Sequence, residues 1–163
     1  MATARAVAET PLSPERVLAA AYDFSERREL VFPAVSSRRL QVHELEEKSA
    51  DVTEGTRAGP VVNWERCRYE WTQPGSVTAT VTDSNVYAVP GSLWEIRASA
   101  KGGGGSRVEM VWTREFRSGP RGAFFGFFFG SSSISSGFAP SFCATFSSSQ
   151  NTHSVVPFTS TDA

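Results

Sequence analysis

A chain of 163 residues with a formal net charge of −1 is long enough to fold as one domain around a real core. All sixteen Lys and Arg and sixteen of the seventeen Asp and Glu fall within residues 1–121, so that stretch is neutral and offers no footing for nucleic acid or an anionic membrane. Two cysteines cannot build a disulfide framework, "MATARAVAETPLSPERV" lacks the apolar core of a secretory signal, and no run reaches the roughly 20 apolar residues of a membrane span; a cytoplasmic protein with reduced thiols is expected.

The first element is "TARAVAET", whose small and apolar residues alternate with polar ones as in a half-buried strand. Pro11 ends it. "SPERVLAAAYDF" then predicts a helix, with Ser13 placed to accept from free backbone N–H groups and Pro14 at the first helical position. Val17, Leu18, Ala21 and Tyr22 share one face at helical spacing. "SERRELVF" repeats the pattern as a second short helix that Pro33 stops.

After Pro33 the period changes to two. Strands are expected near 37–46, 49–55, 61–72, 76–86, 92–100 and 106–116, separated by "EEKS", "RAGP", "QPGS", "AVPG" and "KGGGGS". In "SLWEIRASA" Leu93, Glu95 and Arg97 oppose Trp94, Ile96 and Ala98; in "RVEMVWTRE" Val108, Met110 and Trp112 oppose Glu109 and Thr113. Connections this short imply antiparallel hairpins. The order is a strand, two helices and a meander of six strands, an α+β arrangement. Two short helices cannot cover a sheet of that size, so a long helix is expected after the last strand.

The order of elements, with "RVLAAAYDFSERREL", "ADVTEGT", "NWERCRYEWTQPGSVTATVTDSNV", "GSLWEIR" and "GSRVEMVWTREF", resembles the START-like (SRPBCC) superfamily, and within it the polyketide cyclase/dehydrase group. The resemblance runs from about Ala4 to Arg117 and is most specific in "WERCRYEW" and "TVTDSNV". It implies a helix-grip fold, in which a curved seven-stranded antiparallel sheet wraps a long C-terminal helix. It also implies a cavity between them that holds a small hydrophobic molecule.

Where the family has a Leu- and Arg-rich helix, this chain departs from the pattern. Residues 122–161 contain no Asp, Glu, Lys or Arg and hold nine of the twelve Phe, and no Leu follows Leu93. With C at the third base of its Phe codons, "FFGFFFG" read two bases later becomes a run of Leu and Arg. The chain is therefore read as a START-like domain over 1–121 and an aberrant Phe/Ser-rich tail over 122–163, out of frame from near Phe116–Gly122. The other reading of the tail is a genuine Ser/Phe-rich disordered segment.

Candidate chemistry is sparse. "KGGGGS" lies between two strand patterns and lacks the Gly-Lys-Ser/Thr ending of a phosphate loop, so it reads as a hairpin turn. His43 and His153 have no metal-ligand spacing with Cys67, Asp51 or Glu54, and no Ser stands in a Gly-x-Ser-x-Gly elbow. No metal and no cofactor is expected. What remains is an aromatic and polar set: Trp64, Tyr69, Trp71, Asn85, Trp94, Ile96, Met110 and Trp112 as candidate ligand-binding residues. Such residues in strands are more often plain core. Arg66, Tyr69 and Asp83 are the candidate catalytic groups, since a cyclase or dehydratase needs a proton donor or acceptor beside a ligand carbonyl.

Three functions remain open at this point. The chain carries or senses a small hydrophobic, polyketide- or lipid-like ligand; it is a polyketide aromatase/cyclase-type enzyme; or it is the non-functional product of a frameshifted gene. The expected partner is a small hydrophobic molecule, with no nucleic acid and no membrane span.

Overall fold

The computed structural model describes residues 1–32, 35–58 and 61–119. Seven antiparallel strands form one sheet in the order β1-β7-β6-β5-β4-β3-β2. They are β1 (Ala2–Thr10), β2 (Gln41–Leu45), β3 (Ser49–Ala58), β4 (Val61–Glu70), β5 (Ser76–Ser84), β6 (Leu93–Ala100) and β7 (Ser106–Arg114). Helices α1 (Pro14–Ala21) and α2 (Arg28–Val31) lie between β1 and β2. The meander expected from the short connections is present, and β1 closes it by pairing with the last strand.

That closure is written in residue size. Ala4, Ala6 and Ala8 of β1 stand opposite Trp112, Met110 and Val108 of β7. Directly opposed residues in an antiparallel pair project from the same face, so the small side chains leave room for the large ones. Helix α1 starts as its sequence dictates, with Pro14 in the first turn and Ser13 at the cap position, whose carbonyl accepts from the Val17 N–H at 3.1 Å. The Ser13 side chain makes no cap hydrogen bond, contrary to expectation. Val17 and Ala21 are fully buried where α1 packs across β5, β6 and β7, and Leu18 and Tyr22 flank them.

Two features depart from the sequence reading. Residues 37–46 are not one strand: Ser37–Arg39 forms a 3₁₀ turn, and only Gln41–Leu45 pairs, as an exposed edge strand. The turn wins because the Arg39 and Leu40 N–H groups bond back to the Ser36 and Ser37 carbonyls, while Ser36 N–H is held by Gly55. The second feature is a bulge: Arg66 opposes Asp83 while Cys67 opposes Val81, so Thr82 is an extra residue on β5. Alternation is thereby reset, and Val77, Ala79, Val81 and Ser84 are buried while Thr82 and Asp83 face water.

The "KGGGGS" stretch is the β6–β7 turn, closed by the Lys101 N–H to the Gly105 carbonyl at 3.1 Å. Gly105 has φ +82°, and a Cβ there would lie 2.2 Å from the Thr10 carbonyl oxygen, so only glycine lets this turn pass the end of β1.

The core occupies the face covered by α1: Ala50 and Val52 of β3, Cys67 and Tyr69 of β4, Val77, Ala79 and Val81 of β5, Trp94, Ile96 and Ala98 of β6, Val108 and Met110 of β7. Glu95, Arg97 and Glu109 lie on the opposite face, Arg97 clasping Glu95 and Arg5 reaching Glu109. The long helix expected after β7, the tail from Gly122 and the boundary proposed at 121/122 lie outside the described residues.

Candidate functional site

Alternation along the strands divides the candidate residues between the two faces of the sheet. Trp94, Ile96 and Met110 are buried on the helix-covered face, and Trp112 packs against the same core while remaining partly accessible. Tyr69 is fully buried there, and Trp71 ends the same row, its ring stacked on Tyr22 with centroids 4.6 Å apart. Trp64 and Arg66 alternate with Glu65 and Cys67 and point to the other face. Arg66 clamps Asp51 through two hydrogen bonds of 2.7 Å. Asp83 accepts from the Ser84 N–H and from Arg117. Asn85 closes the strand end, accepting from the Trp64 N–H and donating to the Val62 carbonyl, both at 2.9 Å. Arg66 and Asp83 are thus on the outer surface, and the structure does not bring them together with Tyr69.

The helix-covered face carries charge at positions the sequence reading did not single out. Arg28 of α2, completely buried, donates from Nε to Glu54 at 2.7 Å, from Nη1 to the Ala21 carbonyl at 2.7 Å and from Nη2 to the Tyr69 hydroxyl at 3.0 Å. The Tyr69 hydroxyl in turn donates to the second Glu54 oxygen at 2.7 Å. Phe32 and Phe24 place their rings 4.1 and 5.0 Å from the guanidinium carbon. Burial opposes the Arg28 charge, but Glu54 and Tyr69 beside it more than offset this, and the guanidinium holds its proton more firmly than usual. Burial, reinforced by the Glu54 carboxylate, pushes the Tyr69 phenol well above its ordinary value. That phenol therefore stays protonated at neutral pH, and both partners it can reach are taken. The triad pins α2 and the end of α1 to β3 and β4.

A second pair lies beside it. Glu54 and Glu65 are direct partners across β3 and β4, and Glu65 turns to Arg114 of β7, whose Nη2 donates at 3.3 Å. Arg114 sits 4.7 Å above the Tyr87 ring. Burial raises the Glu65 carboxyl above the usual range against the pull of Arg114, and the neighbouring Glu54 adds to the rise. Unlike the triad, this cluster is incomplete. Asn63 Oδ1, Glu65 Oε2 and Arg114 Nη1 are buried with no hydrogen-bond partner. Cys67, next in the same row, is an inert thiol, its pKa pushed well up by burial and by the nearby carboxylates.

Arg28, Glu54, Glu65, Arg114, Asn63 and Tyr87 were not singled out from the sequence. Three of them had a visible signal. Glu54 follows Ala50 and Val52, Glu65 precedes Cys67 and Tyr69, and Arg114 follows Met110 and Trp112, each a charge in phase with the apolar side of its strand. No group of His, Cys, Asp and Glu among the described residues could hold a metal ion, and no described helix is long and apolar enough to cross a membrane.

The fold has relatives among solved structures. The Thermus thermophilus protein TTHA0849 superposes with a TM-score of 0.70 at 18% identity, covering 88% of this chain and 93% of that one. A START superfamily protein from Mycobacterium smegmatis gives 0.68 at 8% identity, over 90% and 97% of the two chains. The Streptomyces aromatase/cyclase Zhui gives 0.61 at 10% identity, over 72% and 70%. At these identities the likeness establishes the fold. No curated protein matches the chain in sequence. The family model described as polyketide cyclase / dehydrase and lipid transport matches residues 1–134, and the chain belongs to that family.

Proposed function

We propose that this protein binds one small hydrophobic, polyketide- or lipid-like molecule against the helix-covered face of its sheet. The observation that carries this reading is the composition of that face. A continuous apolar floor runs from Val52 through Val81, Trp94 and Met110 to the partly accessible Trp112, and it ends at a buried polar pair with unused hydrogen-bonding capacity. Apolar walls with a few convergent polar groups are what a small-molecule site requires. The family description and the kinship with an aromatase/cyclase and START proteins support the same reading. A fluorescence titration with 1-aminoanthracene, a neutral apolar probe, tests it. Saturable binding at one site per chain, weakened by Trp112→Ala, is expected; a linear, unsaturable rise would contradict it.

One observation favours the enzymatic reading, an aromatase/cyclase. Burial holds the Glu65 carboxyl above its ordinary value beside a guanidinium, and a carboxyl that keeps its proton to higher pH is suited to donate it to a ligand carbonyl. Of the groups singled out from sequence, Tyr69 is committed to Glu54 and Arg28, and Arg66 and Asp83 face outward, so the enzymatic reading rests on Glu65. Separately, the charge-free composition of residues 122–161 supports a shifted reading frame from near Phe116–Gly122. The nucleotide sequence past codon 116 tests it. Leu and Arg codons two bases out of phase are expected, and their absence would end the idea.

A further inference from the structure

We infer that the Glu65–Arg114–Asn63 cluster is a subsite for a neutral hydroxyl group of the bound molecule, resting on the hydrophobic-ligand reading above. Buried polar groups in folded proteins are almost always paired, and an unpaired one costs about 1–3 kcal/mol. Here three stand in one cluster, on Glu65, on its partner Arg114 and on Asn63 two residues along the same face of β4, while no side-chain nitrogen or oxygen of the triad beside them lacks a partner. The fold leaves the vacancy in one place and not in the other.

The vacant positions define what fits. Arg114 Nη1 can only donate, Glu65 Oε2 accepts when ionised, and Asn63 Oδ1 accepts. A ligand carbonyl could answer Arg114 alone. A hydroxyl accepts from Arg114 and donates to Glu65 at once, and a second hydroxyl would serve Asn63. Charge narrows the class further. Glu65 and Arg114 already neutralise one another, so a ligand carboxylate would bring an uncompensated negative charge beside Glu65, and an ammonium would do the same beside Arg114. The ligand class is an apolar body with a phenolic or alcoholic hydroxyl, not a fatty acid or an amine.

Three probes of one shape separate the possibilities: naphthalene, 2-naphthol and 2-naphthoate, each measured by displacement of 1-aminoanthracene from the full chain. The order expected is 2-naphthol tightest, by about tenfold over naphthalene, the effect of one hydrogen bond to a charged group, with 2-naphthoate weakest. In Glu65→Gln the order should change in a way that unfolding cannot mimic. Arg114 then has no counter-charge, and 2-naphthoate should gain about tenfold or more over its affinity for the natural chain. In the double variant Glu65→Leu/Arg114→Leu the ratio of 2-naphthol to naphthalene affinity should fall to about one. Naphthalene binding as tightly as 2-naphthol to the natural chain overturns the hydroxyl subsite while leaving the hydrophobic-ligand reading in place. Failure of all three probes to bind overturns that reading, and the subsite with it. No gain for 2-naphthoate in Glu65→Gln also overturns the subsite.

Discussion

Two buried ionic clusters stand side by side on one face of the sheet, and they are built to different standards. In the first, Arg28 makes three hydrogen bonds of 2.7–3.0 Å, Tyr69 bridges to the same carboxylate, and aromatic rings fill the remaining space. In the second, Glu65 and Arg114 meet through one long contact of 3.3 Å, and one buried atom of each, together with Asn63 Oδ1, is left without a partner. The contrast separates fastening from recognition. A charge buried to hold elements together has all its valences used by the chain itself, because each vacancy costs stability. A charge kept to meet a ligand has to leave some open.

If that distinction holds, the two clusters should respond in opposite ways to mutation. The largest effect is expected at Arg28. Arg28→Met strips the partner from a buried Glu54 and should destabilise the fold by about 3–5 kcal/mol, read from chemical denaturation. A loss under about 1 kcal/mol would place Arg28 outside the fastening role. Tyr69→Phe removes one hydroxyl from the same network, leaving a Glu54 oxygen and an Arg28 N–H unpaired, and should cost about 1–3 kcal/mol in the same assay. Replacing the second pair with leucines should behave differently, leaving stability unchanged or raised by about 1–4 kcal/mol, since a poorly satisfied buried pair gains little over apolar packing. A loss comparable to that of Arg28→Met would merge the two clusters into one structural role.

A pH series sharpens the comparison. Burial raises the Glu65 carboxyl above 4.5, so the folded chain binds this proton more tightly than the unfolded chain does. Its contribution is therefore present in full below about pH 4.5 and is lost as pH climbs through the folded value. Melting temperatures of the natural chain relative to Glu65→Gln should fall over that climb; parallel curves would show that Glu65 titrates as in the unfolded chain. The smallest effect is expected on the outer face. Arg66→Ala breaks the half-exposed pair with Asp51 and should shift stability by less than about 1 kcal/mol, shrinking further at high salt.

The sheet was readable in the sequence because one face of it is buried, and burial enforces a period of two. "SLWEIRASA" and "RVEMVWTRE" announce their inner faces without ambiguity, and the short turns between strands leave only an antiparallel meander. The same rule misled where its assumption failed. Strand β2 is exposed along its whole length, so nothing in its pattern marks where pairing begins, and Ser37–Arg39 turns instead. The bulge at Thr82 reset the phase of β5 and put Asp83 outside, and a single extra residue leaves no periodic trace. The polar cluster was half legible. Glu54, Glu65 and Arg114 break an apolar row in phase, but a charge in a strand reads as a solvated one until the opposite face is known. Arg28 gave no sign, because adjacent Arg27 and Arg28 look alike in sequence and only the fold sends one to water and the other to the core.

The central claim, that the helix-covered face holds a small apolar molecule, can be tested with the four tryptophans. Trp94 and Trp112 line that face, Trp64 points to the other, and Trp71 is stacked on Tyr22 at the edge. With 5-fluorotryptophan incorporated, four fluorine resonances can be assigned by Trp→Phe variants and followed as naphthalene is added. Saturable shifts at Trp94 and Trp112 are expected, with Trp64 unmoved. Shifts confined to Trp64, or none at any of the four, would contradict that claim.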